Sequence, residues 1–347
     1  MKKDSYPFLS KLLHDFYLGN YFISETSYEI EKKIFRNAIN SFELNEQVFI
    51  TGLARAGTTA LFNKLYETSE FSSLKYSNMP FLLMPNLWKK FNGNQKSELV
   101  ERAHHDGIKI GLESPEEFDE YFWKATLKDN YIKKDGLILN KINPKNLDSY
   151  LKYVKLVCNS FHKKNYLSKN NNNILRLSSL KRIFPDSKII VLYRFPLDHA
   201  LSLLKQHNNF ISLQKADAFA LKYFNYLGHH EFGLNHKPFI LSDSDLNDLN
   251  MFKPSDLNYW LIIWKNYYKY LMNEYGRQVI LISHEDLCEQ PSLVADFLNS
   301  NIKIPTSIKI DTKFKPGQHA EQDFHKSILK ECILLHEEMN TKREYTH

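Results

Sequence analysis

Residues 52–59 read Gly52, Leu53, Ala54, Arg55, Ala56, Gly57, Thr58 and Thr59. Two glycines spaced by four residues and followed by hydroxyl side chains make the frame of a phosphate loop. Such a loop wraps an anion in backbone N–H groups. The lysine that nucleotide-hydrolysing loops carry after the second glycine is absent, and its slot holds Thr58. A cation sits earlier, at Arg55. Its guanidinium is a fixed fork that stays charged at any working pH. The chemistry implied is anion binding by Arg55, the amides of Ala56, Gly57, Thr58, Thr59 and Ala60, and two hydroxyls. A simpler reading is a glycine turn joining a strand to a helix.

A second element is Arg194, Phe195 and Pro196, with Ser202 further on. Arg194 ends an apolar run and Ser202 falls about two turns into the helix that follows. A guanidinium and a hydroxyl on adjacent elements can clamp a second phosphate. Alone, an Arg in that position is as readily a surface ion-pair partner.

Groups able to take a proton lie between these two elements. His104, His105 and Asp106 come first, then Glu113, Glu116, Glu117, Asp119 and Glu120. Ser114, Pro115 and the acids after them also read as a helix start, with a cap, a proline and a charged first turn. That reading covers Glu116 and Glu117 but leaves Glu120. Glu117 and Glu120 stand three apart, on one helical face that Trp123 continues. As proton acceptors Glu117 and Glu120 rank above Glu116, and His105 comes last. Adjacent histidines point apart in most backbones and no third ligand is placed by motif, so His104–His105 and His229–His230 read as surface pairs and no metal is assigned. Lys169 by itself reads as a solvated loop lysine. Arg176 reads as a site residue or a salt-bridge partner.

These groups need positioning. Val48–Thr51 reads as a buried strand before the loop, and Ala60–Tyr66 as the helix after it. Lys188–Arg194 and Val279–Ser283 are further apolar strands, and Ile174–Leu177 reads as a short one after an Asn170–Asn173 turn. Helices are expected over 116–128, 147–163, Leu180–Phe184, Leu197–Gln206 and Leu257–Tyr275, with two more over 8–40. Met79–Trp88, broken by Pro80 and Pro85, reads as a shaped loop. Apolar strands alternating with helices predict a parallel sheet of about five strands, covered on both faces.

The length of 347 residues and 43% hydrophobic content fit one α/β domain over 1–347. Residues 1–45 read as an N-terminal helical extension, and the polar stretch 210–256 as a lid or acceptor-facing insertion. The net charge of +6 is mild, and no basic tract with interleaved aromatics points to nucleic acid. Cys158, Cys288 and Cys332 form no CxxC pair and fit a reducing compartment. There is no transmembrane run, which leaves peripheral membrane contact open. With the Asn/Lys-rich composition, this predicts a cytoplasmic bacterial protein. Oligomeric state is not legible.

The two anion elements together resemble the sulfotransferase family, in its bacterial and carbohydrate-type branches. The similarity runs over about residues 47–300. Arg55, Ala56, Gly57, Thr58 and Thr59 are similar to that family's 5′-phosphosulfate loop, and Arg194 with Ser202 to its 3′-phosphate element. Phe184–Ile190, Trp264–Tyr268 and Val279–Leu287 add supporting pattern. The resemblance implies a P-loop-containing nucleoside triphosphate hydrolase-like fold and 3′-phosphoadenosine 5′-phosphosulfate as donor. A single sulfuryl donor needs less neutralisation than a metal-bound triphosphate, which fits the lost lysine.

The resemblance also implies a base among residues 113–120, where relatives carry a similar Pro-Glu-Glu stretch, and a contact to acceptor or leaving phosphate for Lys169. Two features depart from the family. A C-terminal glycine loop has only Lys313–Gly317 as a candidate, and no carboxylate stands at Ser77–Pro80. A saccharide or cell-surface glycan precursor is the acceptor expected. The alternatives are a P-loop small-molecule kinase and an inactive nucleotide- or glycan-binding protein.

Overall fold

The computed structural model describes residues 8–92, 100–101, 109–310 and 323–345. Strand β1, Gln47–Thr51, is buried at every position. Val48 and Ile50 pack into one apolar cluster with Leu61, Phe62 and Leu65. Phe49 packs into a second cluster with Tyr166 and Phe184. β4, Lys188–Tyr193, divides the same way: Ile190 and Leu192 join the first cluster, Ile189, Val191 and Tyr193 the second. A strand apolar on both faces must be covered on both faces. Each such side chain contributes about 1.5–3 kcal/mol when buried, so the sheet centre is strongly specified.

The main sheet adds β2 (Phe71–Ser72), β3 (Asn165–Lys169) and β5 (Ile280–Ser283). All pairings are parallel, in the order β2-β3-β1-β4-β5. This is the expected α/β architecture of the P-loop type, five strands flanked by helices. β1 lies between β3 and β4, with Ile50 beside Lys169 and Thr51 beside Val191. The strand order reverses at β1, and open sheets bind ligands outside the carboxyl ends at such a point. Gly52, Asn170, Arg194 and His284 are the residues that leave β1, β3, β4 and β5 there.

Several elements differ from expectation. The 8–40 region forms three helices, Phe8–Leu18, Tyr21–Ile34 and Arg36–Ser41, with a break at Phe35. No strand forms at Ile174–Leu177. The strand is earlier, at β3, and Asn171–Arg176 is a 3-10 turn that leads into a helix, Leu177–Ile183. Asn170 accepts a bond from Asn172 N at 2.9 Å. Such side-chain-to-backbone bonds favour turns over a ladder.

The Ser114 helix cap does not form either. Its hydroxyl accepts from Gly111 N at 3.0 Å, Pro115 bridges Lys75, and the helix starts only at Glu120. A helix, Pro85–Asn92, replaces part of the shaped loop, and the Glu31 carboxylate accepts from Asn86 N and Leu87 N in its first turn. Residues 210–256 are largely ordered. The helix from Pro196 runs to Ala216, and Ala218–Leu227 follows between Asp217 and Gly228 caps. Among the described residues no helix is long and apolar enough to cross a membrane.

Candidate active site

The loop after β1 is held in an unusual shape. Gly52 has φ of 140°, and a Cβ there would lie 2.4 Å from the carbonyl oxygen of Leu192 in β4. Only glycine fits such an approach. Arg55 adopts φ of 73°, in the left-handed region that costs a side-chain-bearing residue energy. Its Nε donates to Ser202 Oγ at 3.3 Å. Beneath the loop, His199 Nε2 bonds the Ala54 carbonyl at 2.8 Å. Burial lowers the His199 pKa to about 3. The ring is therefore neutral, and the bond requires the proton to sit on Nε2.

Gly57 precedes the helix Thr58–Glu67 at a left-handed φ, with no side-chain cap bond. The amides of the first helical turn have no carbonyl partners within the helix. This end of the helix therefore offers N–H donors and the positive pole of its dipole to an anion.

Arg194 leaves β4 on the same rim. Trp264 Nε1 donates to its carbonyl at 3.1 Å, and Phe195 N donates to Glu285 Oε1 at 2.9 Å. Arg194 Nε is buried and meets no hydrogen-bond partner among the described residues. A buried N–H without an acceptor is costly unless something completes it. The structure thus places the loop cation in contact with Ser202, and Arg194 on the strand end that leads into the helix carrying Ser202. His284 also reaches this loop, with Nδ1 3.0 Å from where a Gly57 Cβ would stand. Sequence reading missed it, because a histidine after a strand belongs to no motif used.

Beside the loop lies a cleft whose polar side includes Arg55, Thr58, Thr59, Glu116, Glu117 and Lys169. Glu117 is 1% exposed. It forms an ion pair with Lys169 and accepts from Asn171 N at 2.7 Å. Burial pushes the Glu117 carboxyl up to about 7, against the pull of Lys169. Glu116 lies 3.9 Å from the same ammonium and accepts a long 3.5 Å bond from Tyr76.

Glu120 is placed differently. Arg176 grips it through two bonds of 2.6 and 3.0 Å, Asn170 donates at 2.8 Å, and Tyr131 donates as well. Burial acts to raise its pKa, but Arg176, Tyr131 and Asn170 together outweigh burial and hold it below the ordinary value. Glu120 lines no part of the cleft. Its geometry is that of a buried structural ion pair, and Arg176 is its partner. The shared face with Glu117 does not exist, because Glu117 precedes the helix. His105 lies outside the described residues, as does Lys313–Gly317.

Lys169 is the last residue of β3 and is buried, not a loop lysine. The asparagine run that follows builds the site. Asn171 Nδ2 donates to Glu231 Oε1 at 3.0 Å, and His229 Nδ1 is 3.8 Å from Glu231 Oε2. Burial opposes ionisation of Glu231, but His229 and Asn171 outweigh it and hold the carboxyl well below its usual range. The same contact with Glu231 overcomes burial and raises the His229 pKa. Ligand-type atoms of Glu117, His229 and Glu231 lie within 4.8 Å of one another. Lys169 pairs with Glu117 and His229 faces Glu231, while Asn171 donates hydrogen bonds to both carboxylates. His229 is therefore not a surface residue, and Glu231 was not anticipated. No short motif links Glu231 to Asn171, 60 positions away.

The cleft also has an apolar wall. Phe210, Tyr223, Phe224, Leu227 and Phe232 supply it, all from within the segment read as a lid.

The chain belongs to the sulfotransferase family, whose sequence profile matches residues 47–231. It is a sulfotransferase enzyme by that membership. Solved structures with some likeness include a sulfotransferase from Mycobacterium tuberculosis, at 14% identity and a TM-score of 0.48, over 86% of this chain and 78% of that one. A sulfotransferase from Alicyclobacillus acidocaldarius is 15% identical with a TM-score of 0.38, over 86% of this chain and 94% of its own. The sulfotransferase domain from the curacin biosynthetic pathway is 18% identical with a TM-score of 0.32, over 74% of this chain and 75% of its own. No curated protein sequence matches the chain.

Proposed function

We propose that this enzyme moves a sulfuryl group from 3′-phosphoadenosine 5′-phosphosulfate to a hydroxyl acceptor. Arg55, the amides of residues 56–60 and the hydroxyls of Thr58 and Thr59 receive the 5′-phosphosulfate. Arg194 and Ser202 receive the 3′-phosphate. The observation that carries this reading is the Arg55–Ser202 bond on the rim where Arg194 Nε has no hydrogen-bond partner among the described residues. Two guanidiniums and a hydroxyl on one rim suit a ligand with two separate anionic groups.

Glu117 is the proposed base, with Glu116 second. The acceptor oxygen forms a bond to sulfur as the bond from sulfur to the bridging oxygen breaks. That electron pair leaves on the phosphate, and the hydroxyl proton passes to Glu117. A carboxyl raised to about 7 is well matched to taking that proton near neutral pH. Lys169 compensates Glu117 and Glu116 and supports charge on the leaving phosphate. Glu120 is reassigned to structure, and His105 is not needed.

The kinase alternative lacks its lysine, since the slot holds Thr58, itself 3% exposed. For the saccharide acceptor the cleft speaks both ways, because no tryptophan lines it but Tyr76 and Tyr223 do. Trp123, Trp260 and Trp264 are core residues. The proposal includes a cytoplasmic, bacterial setting, on the composition alone.

Supplying the enzyme with donor and a panel of hydroxyl acceptors tests the reading. The expected result is 3′-phosphoadenosine 5′-phosphate and sulfated acceptor in equal amounts. Tight donor binding with no transfer to any acceptor would favour the inactive binder.

A further inference from the structure

The cleft has two chemically distinct sides. The polar side is self-satisfied to a large degree: Lys169 serves Glu116 and Glu117, Asn171 serves Glu117 and Glu231, and His229 faces Glu231. Asn171 Oδ1 is the exception, a buried acceptor with no hydrogen-bond partner among the described residues. The opposite side is built of rings, with the Tyr223 hydroxyl as its one polar group. Phe210 packs against Phe224 at 4.9 Å between centroids and against Phe232 at 5.6 Å. Leu227 is 2% exposed and Phe232 4% exposed, so this wall is desolvated already.

We infer that the acceptor presents its hydroxyl on an apolar body, a phenol or a hydrophobic alcohol, rather than on a saccharide. This rests on the reading that the cleft is a sulfuryl-transfer site. A sugar carries several hydroxyls, and each one buried against rings without a partner loses its water for nothing. The wall offers rings, a leucine and the single hydroxyl of Tyr223, too few polar groups for a polyol, and the polar side has committed most of its groups to each other. An apolar body matches the wall by contact alone. Its one hydroxyl needs a single acceptor, which Glu117 supplies. Asn171 Oδ1 can accept from a second donor on the same molecule, such as an ortho hydroxyl.

The wall comes from the helix Pro196–Ala216, the helix Ala218–Leu227 and the loop after it. Ser202 lies on the first of these helices. The element that carries the acceptor wall therefore also carries a donor-site hydroxyl.

The test sets acceptors in competition on the wild-type full chain. 2-Naphthol, catechol and 1-decanol would be offered with the donor against glucose, trehalose and chitotriose. The expected result is kcat/KM at least about tenfold higher for the apolar acceptors, in the range that hydrophobic pocket contacts discriminate. Phe232→Leu should raise KM for 2-naphthol about threefold to tenfold, with calorimetric affinity for 3′-phosphoadenosine 5′-phosphate unchanged. Phe224→Leu serves as a second variant if the first fails to fold. Preferred sulfation of the sugars would overturn this inference and leave sulfuryl transfer standing. Absence of 3′-phosphoadenosine 5′-phosphate binding would overturn the underlying reading and this inference with it.

Discussion

Arg55 Nε donates to Ser202 Oγ at 3.3 Å, joining the loop after β1 to the helix after β4. These two residues are 147 positions apart. The bond brings together two anion elements that the sequence could only pair by analogy. It also restrains an arginine in the left-handed region, where backbone alone would not keep it.

Donor binding should depend on this pair unequally. A hydrogen bond to a charged group contributes about 1.5–3 kcal/mol, and one between neutral partners about 0.5–1.5 kcal/mol. Arg55→Ala and Arg194→Ala should each weaken 3′-phosphoadenosine 5′-phosphate by roughly 10- to 150-fold. Ser202→Ala should weaken it by less. Calorimetric titration checks the order, and an unchanged affinity in both arginine variants would refute the assignment.

Glu117→Gln should lower kcat by about 100- to 10,000-fold, the contribution of a positioned general base. Affinity for 3′-phosphoadenosine 5′-phosphate should stay within about threefold. Glu116→Gln should have a much smaller effect on kcat. If Glu116→Gln is the more damaging of the two, the roles are exchanged.

Activity and stability should respond to pH in opposite directions at Glu117. Its carboxyl is raised from 4.5 to about 7 by burial. The base is the ionised form, so kcat/KM should rise as pH passes through about 7. For stability, the folded chain keeps a proton there that the unfolded chain has released above pH about 4.5. The Glu117 contribution to stability therefore falls as pH rises from about 4.5 to about 7. Lys169→Met removes the cation that pulls this pKa down and should shift the activity limb to higher pH. A limb that does not move on that substitution would separate it from Glu117.

Glu120 should behave as structure. Removing one partner of a buried ion pair costs about 3–5 kcal/mol. Glu120→Gln should lower the urea midpoint sharply, while the protein that remains folded keeps near-normal affinity for 3′-phosphoadenosine 5′-phosphate. Full stability with lost kcat would return Glu120 to catalysis.

The strands of the sheet centre were legible because an unbroken apolar run admits few other fates. Val48–Thr51 and Lys188–Tyr193 formed where expected, within a residue. The loop was legible because Gly52 is required by its φ and by the approach of Leu192. Glu117 was legible as a candidate, though on a wrong premise. Helical spacing paired it with Glu120, yet the helix begins only at Glu120, and the two carboxylates meet different partners.

The asparagine run was read as a turn before a strand, but it follows one. The Asn170 side chain caps the backbone at Asn172, the backbone N–H of Asn171 reaches Glu117, and the Asn171 side chain reaches Glu231. The His229–Glu231 contribution could not be read at all. It depends on how the chain between β4 and β5 folds back over β3, and no local pattern encodes that return. The helix Ala218–Leu227 is mostly apolar and aromatic, with Lys222 and Asn225 as exceptions, and was hidden by the polar stretch that follows it within 210–256.

The loop after β1, with its lysine slot filled by Thr58, is proposed to serve a phosphosulfate donor. Calorimetric titration of the full chain with 3′-phosphoadenosine 5′-phosphate, and separately with ATP and Mg²⁺, tests it most directly. Saturable binding of the first is expected, abolished or strongly weakened in Arg55→Ala, with little or no binding of the second. Tight binding of ATP with Mg²⁺ and none of 3′-phosphoadenosine 5′-phosphate would contradict it.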